Sequence, residues 1–155
     1  MKIHNLIYVA LVIFISGCAA PYAYVSSAKE DPEIVFGERS GDIGARNFHL
    51  NIGDADANKC NDFMNVGGVS NNSKLLDKTK TVRVPAGRAV AVNSLLALSN
   101  FTCRPGVKMF TPENNGKYSI DIGQIGNMCY LSIARVDPSG KFEEVKNAVV
   151  LPKCK

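Results

Sequence analysis

Two stretches of the chain alternate apolar and polar side chains with a period of two residues. Apolar residues occupy every second position in residues 48–52 and again in residues 118–122. This alternation is typical of β-strands that cover a core with one face and meet water with the other. It places His49, a polar residue of the first stretch, on the wet face.

Shorter apolar runs separated by turn residues extend the same pattern. Turns are predicted at 85–87, 112–116, 123–127 and 137–140, where Pro, Gly, Asn and Asp cluster. No convincing helical period follows residue 18. Strand candidates lie at residues 34–36, 63–66, 81–84, 90–98, 107–110, 128–136, 141–145 and 148–151. Residues 34–155 are therefore predicted to form one all-β domain, an antiparallel β-sandwich of the immunoglobulin-like or transthyretin-like kind.

The first eighteen residues do not share this strand pattern. Leu6 to Ile15 is an uncharged apolar run of ten residues after a short basic start, which is the layout of a secretory signal. It is too short to span a bilayer, which takes about 20 residues. We interpret residues 1–17 as a signal peptide that is removed.

Ile15-Ser16-Gly17-Cys18 ends this run, and the four residues resemble the lipobox of bacterial lipoproteins. The resemblance implies cleavage before Cys18, a diacylglycerol on its sulfur and a membrane contact through the lipid. Residues 18–33, with two prolines and no apolar period, would be a flexible tether. In that family an Asp after the Cys retains the protein in the inner membrane, so Ala19 favours the outer membrane, facing the periplasm or the cell surface.

Four further cysteines, Cys60, Cys103, Cys129 and Cys154, form an even set in an exported chain, which predicts two disulfides. We favour Cys60 with Cys103 and Cys129 with Cys154, since the second pair ties the last segment to a central strand. The alternative joins Cys103 to Cys129 and Cys60 to Cys154. Zinc is disfavoured because the chain has no Cys-x-x-Cys pair.

Asp54, Asp56 and Asn58 place oxygen ligands at alternate positions, as at the start of a calcium loop. The pattern then fails, because Lys59 stands where the loop needs its glycine and Asn65 where it needs its bidentate Glu. These residues are weak calcium candidates, and a polar loop is the better interpretation. No cofactor is predicted.

Composition points to an ordinary folded domain, with 46% hydrophobic and 21% charged residues and a net charge of +4. No basic stretch is interleaved with aromatic residues, so nucleic-acid binding is not expected. Hydrolysis by a Ser-His-Asp unit would rely on His49 alone, and paired cysteines supply no nucleophile. The chain is therefore predicted not to be an enzyme.

Residues 84–118 are similar to patterns in small uncharacterised bacterial β-sandwich lipoproteins, a resemblance that implies the fold and no activity. We expect a lipid-anchored envelope protein with a binding or structural role, whose partner is an envelope protein or a wall or lipopolysaccharide component. The alternatives are an inhibitor of an envelope enzyme and an accessory lipoprotein of a secretion assembly. A glycan hydrolase would need two carboxyl groups in one cleft.

Overall fold

The computed structural model describes residues 26, 28–37, 45–71, 80–99 and 101–151. The predicted signal peptide, Cys18 and Cys154 lie outside these residues. The described part holds one turn of 3₁₀ helix, Cys60–Asp62, and eleven strands. The strands are β1 (Glu33–Phe36), β2 (Ala45–Gly53), β3 (Phe63–Asn71), β4 (Lys80–Arg83), β5 (Val90–Ala97), β6 (Thr102–Cys103), β7 (Val107–Phe110), β8 (Lys117–Ile125), β9 (Met128–Val136), β10 (Phe142–Glu144) and β11 (Val149–Leu151).

The strands form two sheets that pack face to face, so the predicted β-sandwich is confirmed. The five-stranded sheet has the order β10-β9-β8-β1-β4, and the six-stranded sheet has the order β11-β7-β5-β2-β3 with β6 also paired to β5. Every pairing is antiparallel except that of β1 with β8, which is parallel. β1 lies between β8 and the edge strand β4, and so joins two strands that are far apart in sequence.

The core is built from the alternating apolar positions. Phe48, Leu50 and Ile52 of β2 are at most 5% exposed, as the two-residue period predicts, while His49 between them is exposed. From the five-stranded sheet, β8 and β9 contribute the side chains Tyr118, Ile120, Ile122, Leu131 and Ile133. Two ring contacts, Phe36 with Phe48 and Phe110 with Tyr118, each have centroids 5.1 Å apart.

Strands β3 and β6 depart furthest from the sequence prediction. The predicted strand covers residues 63–66, whereas β3 continues through Gly67 and Gly68 and pairs with β2 as far as Asn71. The register shifts between Leu50 and Asn51, which is how a β-bulge accommodates an extra residue. Cys103 lies between the predicted strands at 90–98 and 107–110, where no strand is predicted, but it belongs to the short strand β6, which pairs with the end of β5.

The ordered domain begins before Ile34, where the tether was expected to end. Asp31 accepts a hydrogen bond from Ser26 Oγ, and its other carboxylate oxygen accepts the Ala86 N–H at 3.3 Å. Arg83 donates to the carbonyls of Ala28 and Lys29 at 3.4 and 3.1 Å. These bonds hold the end of the predicted tether against β4 and the turn that follows it.

A disulfide joins Cys103 of β6 to Cys129 of β9, with their Cα atoms 6.1 Å apart. The favoured pairing, Cys60 with Cys103 and Cys129 with Cys154, is therefore wrong. The physical reason is that β6 extends the six-stranded sheet and Cys129 lies on the core side of the facing sheet, so the two thiols meet across the sandwich. Cys60 is also disulfide-bonded. The observed bond belongs to the alternative pairing, whose second pair includes Cys154.

Candidate functional site

The loop that holds the calcium candidates follows β2 and spans residues 54–62. Arg88 forms an ion pair with the first acidic residue of this loop, and Arg88 Nη2 is 3.0 Å from Asp54 Oδ1. The Asn58 side-chain amide donates to the Asp56 carbonyl at 3.2 Å, so it is turned toward the backbone. A guanidinium beside Asp54 opposes a second cation there, and the geometry favours the polar loop over a calcium site.

Asp62 holds this loop together at its far end. Its Oδ2 accepts the backbone N–H groups of Asn58 and Lys59 at 3.0 and 2.8 Å. These bonds favour the ionised carboxylate, and they lower the pKa of Asp62 from its usual value of 3.8, the Asn58 bond contributing most. The loop packs closely against Gly53 at the end of β2. A Cβ at position 53 would lie 2.6 Å from Ala57 Cβ and 2.9 Å from the Asp62 carbonyl oxygen.

The residue types needed for catalysis are dispersed. Cys60, Cys103 and Cys129 are all in disulfides, so none of these thiols is a nucleophile as the chain stands. His49 is exposed and pairs across the sheet with Gly68 and Asn93. Within the residues described here, no three His, Cys, Asp or Glu side chains come together as metal ligands would.

Two adjoining open clefts, of about 560 and 690 Å³, lie beside β9 and share Arg135 and Glu143. Glu113 also lines the larger cleft, and its Oε2 is 2.8 Å from Arg135 Nη1. Both partners are at least half exposed. A glycosidase acid sits in an apolar pocket, whereas this carboxylate belongs to a surface ion pair. Glu113 therefore lacks the apolar setting of a glycosidase acid.

Asp137 begins the turn at the edge of the smaller cleft. Its Oδ1 accepts the Ser139 hydroxyl at 2.6 Å and the Lys141 and Ser139 backbone N–H groups at 2.9 and 2.8 Å. The Ser139 hydroxyl contributes most to a lowered pKa of Asp137. These bonds are local to the turn, which identifies Asp137 as a structural residue.

The hairpin of β8 and β9 is the most distinctive surface feature. Ile125 pairs with Met128, so the turn consists of Gly126 and Asn127 alone, shorter than the predicted turn at 123–127. Gly126 has φ of 58°, the positive value that a two-residue hairpin turn of type II′ requires at its first position. Gln124 Nε2 donates to the Gly126 carbonyl at 2.7 Å and closes the turn.

Three apolar side chains stand together at the end of this hairpin. Ile125 and Met128 are a cross-strand pair and Tyr130 lies one step further on the same face, so all three share the outer face of the five-stranded sheet. They are 69%, 73% and 45% exposed. We call Ile125, Met128 and Tyr130 the tip patch.

The tip patch is held rigidly. Tyr130 lies over Gly123, where a Cβ would be 2.5 Å from the ring Cζ, so the absent side chain makes room for the ring. Cys129, on the opposite face, ties the hairpin to the other sheet through its disulfide. Residues 122–134 contain no Asp, Glu, Lys or Arg. An apolar patch on a braced, uncharged hairpin has the composition of an interface centre, where Tyr and Met are enriched and charges are depleted.

The tip patch is not among the features predicted from the sequence. The predicted strand at 128–136 is present, and its Leu131 and Ile133 face the core. The other face of the same strand carries Met128 and Tyr130. The signal that could have revealed it is the uncharged run from 122 to 134, because a hairpin end is ordinarily polar.

No protein-family model matches the chain, and no curated protein sequence is similar to it. The part of the chain that the structure describes contains no apolar helix long enough to cross a membrane.

Proposed function

We propose that the protein is a lipid-anchored, non-enzymatic component of the bacterial envelope whose β-sandwich binds a protein partner through the tip patch. The anchor is Cys18, on the strength of the lipobox-like residues 15–18. Three acyl chains, or two, anchor a protein stably, because each buried CH₂ contributes about 0.8 kcal/mol. Ala19 supports the outer membrane as the site of anchoring.

The observation that carries the binding role is the exposure of Ile125 and Met128, 69% and 73%, on a hairpin that is braced from behind. Scattered single apolar residues are normal on a surface, whereas an adjacent group marks a site of interaction. Rigid anchors also bind with a smaller loss of conformational entropy than mobile ones.

The chemistry of the patch selects the class of partner. Because residues 122–134 carry no charge, the patch has no complement for wall or lipopolysaccharide phosphates, and it suits an uncharged apolar pocket on an envelope protein. Inhibition of an envelope enzyme is the specific form of this role that a protruding hairpin suits best.

The anchor and the binding surface are tested separately. Cells fed labelled fatty acid are expected to label the parent protein and not a Cys18→Ser variant. Equal labelling of the two, or no labelling of the parent, would refute the anchor.

For the binding surface, affinity purification of the tagged parent from solubilised envelopes is compared with purification of an Ile125→Ser, Met128→Ser double variant. We expect one stoichiometric envelope protein with the parent and its loss with the variant. An Asp56→Ser variant, altered in the exposed loop after β2, is the matched control and should retain the partner. Recovery of a second copy of this chain alone would instead assign the patch to self-association.

A further inference from the structure

The outer face of the six-stranded sheet carries polar side chains that the fold itself does not use. The apolar side chains of β2 at positions 48, 50 and 52 face the core, so Asn47 and His49 face outward. By the same alternation, Asn93 and Leu95 of β5 face outward. Asn47 pairs with Leu95 and His49 pairs with Asn93, which makes two adjacent cross-strand pairs. We call Asn47, His49, Asn93 and Leu95 the outer quartet.

The outer quartet is accessible to solvent. His49 is exposed, and the other three side chains are partly exposed. On the side of β3, His49 pairs with Gly68, and a glycine places no side chain beside the imidazole. Three hydrogen-bonding side chains thus lie within an area of about 7 by 5 Å, which is two residues along a strand by one strand spacing. A ligand that lies on this face meets all three at once.

The polar groups of the outer quartet have no bonding role within the domain. Among the described residues, the structure records no hydrogen bond for the side chains of Asn47, His49 and Asn93. Asn51, the next asparagine along β2, differs, because its amide donates to the Ala91 carbonyl at 3.3 Å. Asparagine is also one of the residues that strands disfavour. Two asparagines that lower strand propensity and bond to nothing in the fold are better explained by something that they bind.

The surroundings of the outer quartet select an uncharged ligand. Residues 47–53, 63–71 and 90–97, which include β5 and β3 and most of β2, contain no Asp, Glu, Lys or Arg. Arg46, just before the first of these ranges, is only 4% exposed. A phosphate, carboxylate or ammonium group would lose hydration on this face and meet no opposite charge. Amide and imidazole groups both donate and accept hydrogen bonds, as ligand hydroxyls do.

The position of the outer quartet within the sheet favours a saccharide over a peptide. β2 lies between β3 and β5, and β5 lies between β2 and β7, so both strands already pair on each side. An extended peptide adds to a sheet at a free edge, through backbone hydrogen bonds. A saccharide needs no free edge, because it binds through its hydroxyls and the C–H groups of its rings. Leu95 offers those rings an apolar contact beside the polar groups.

We propose that the outer quartet is a binding site for an uncharged saccharide. The amides of Asn47 and Asn93 and the imidazole of His49 hydrogen-bond its hydroxyl or acetamido groups, and Leu95 packs against a ring. The tip patch belongs to the other sheet of the sandwich. The saccharide site therefore goes beyond the proposed partner binding and does not depend on it.

The imidazole of His49 reports on the site directly. The chain has two histidines, and the C2-proton NMR resonance of His49 is identified by its absence from a His49→Gln variant. The purified full-length protein is titrated with the N-acetylglucosamine trimer and, separately, with maltotriose. The pH is held constant, because histidine resonances follow protonation. We expect a saturable shift of the His49 resonance with at least one of these uncharged probes.

Matched asparagine variants test which side chains carry the binding. Asn93→Ala removes one amide of the outer quartet and should weaken saccharide binding about fivefold, as expected for the loss of one hydrogen bond. Asn127→Ala, in the exposed hairpin turn of the other sheet, should leave the affinity unchanged. Thermal unfolding checks that each variant is folded, and Asn47→Ala replaces Asn93→Ala if the latter does not fold. Equal affinity of the quartet variant and the parent would overturn the proposal.

The parent protein alone also puts the proposal at risk. Absence of a saturable shift with both saccharides would overturn it. A shift that appears with tetra-alanine at lower concentrations than with either saccharide would make the face a peptide site instead. A shift that grows with protein concentration in the absence of saccharide would assign the face to self-association, which equally contradicts the proposal.

Discussion

The loop of residues 54–62 and the hairpin turn at Gly126 and Asn127 both project from paired strands close to a disulfide-bonded cysteine, and they use their surfaces in opposite ways. The loop is rich in carboxylates and amides, but Arg88 and the backbone already engage Asp54, Asn58 and Asp62. The hairpin end has no charge, and its apolar side chains meet solvent. The polar groups of the loop are thus already bonded within the protein, and the uncharged end of the hairpin is the candidate interface.

The Cys103–Cys129 disulfide braces the hairpin from behind, and its removal is expected to have the largest effect. A Cys103→Ser, Cys129→Ser double variant opens a bond between residues 26 apart in sequence. In the chain-entropy account this lowers the free energy of unfolding by about 3.5 kcal/mol. Urea unfolding under oxidising conditions measures the loss, and the difference between the two proteins should vanish when both are reduced. A loss below about 1 kcal/mol would show that the brace contributes little.

The close fit of the loop to β2 is tested at Gly53. Gly53→Ala adds a methyl group 2.6 Å from Ala57 Cβ and 2.9 Å from a backbone oxygen. Overpacking of this kind typically costs about 1–3 kcal/mol of unfolding free energy. Gly106→Ala is the matched control, because its Cβ would meet Val150 at an ordinary 3.5 Å. Equal stability of the two variants would mean that the loop moves freely.

The internal hydrogen bonds of the loop predict a pH dependence. The pKa of Asp62 is lowered in the folded protein by the Asn58 and Lys59 N–H groups, so the stability it contributes is present above its usual pKa of 3.8. That stability is lost as the pH falls below 3.8 and through the lower folded pKa.

We therefore expect Asp62→Asn to be less stable than the parent near neutral pH and to converge with it in acid. Chemical denaturation across this range measures the difference. Asp56→Asn is the control, since the Asp56 carboxylate makes no hydrogen bond within the described residues. A gap between parent and Asp62→Asn that widens toward acid would contradict the assignment.

The tip patch should contribute almost nothing to folding. An Ile125→Ser, Met128→Ser double variant alters side chains that are already in water, and its unfolding free energy should stay within about 0.5 kcal/mol of the parent. Ile133→Ala, in the core 2% exposed, is the opposite case and should lose about 2–5 kcal/mol. Thermal and urea unfolding distinguish the two. A large loss in the double variant would mean that the patch is structural and not kept for a partner.

Much of the fold was predictable because side-chain alternation reports directly on strands with one buried face. The strands at Val107–Phe110 and Met128–Val136 match the predicted bounds. Gly67 and Gly68 hid the continuation of β3, because glycine has no side chain to show the alternation. The parallel pairing of β1 with β8 and the Cys103–Cys129 bond depend on which strands become neighbours in space, and local sequence does not encode that.

The surfaces were harder to predict than the core. Ser119 and Asp121 have the pattern of a wet strand face, and only their burial shows that this face is covered. In the same way, the alternation of side chains along β9 indicates that Leu131 and Ile133 share a face, but it does not show whether Met128 and Tyr130 are exposed to water. A two-residue period separates the faces of a strand, but it does not say what lies over the second face.

The most direct test of the tip patch as a binding surface is site-specific photo-crosslinking in living cells. A photoreactive residue at position 128 is compared with one at position 56, in the loop of residues 54–62. The two variants are expressed at equal levels. We expect position 128 to yield one dominant crosslinked envelope protein, which disappears when Ile125→Ser is added, and position 56 to yield none. No crosslink at 128, or the same products at both positions, would contradict the account.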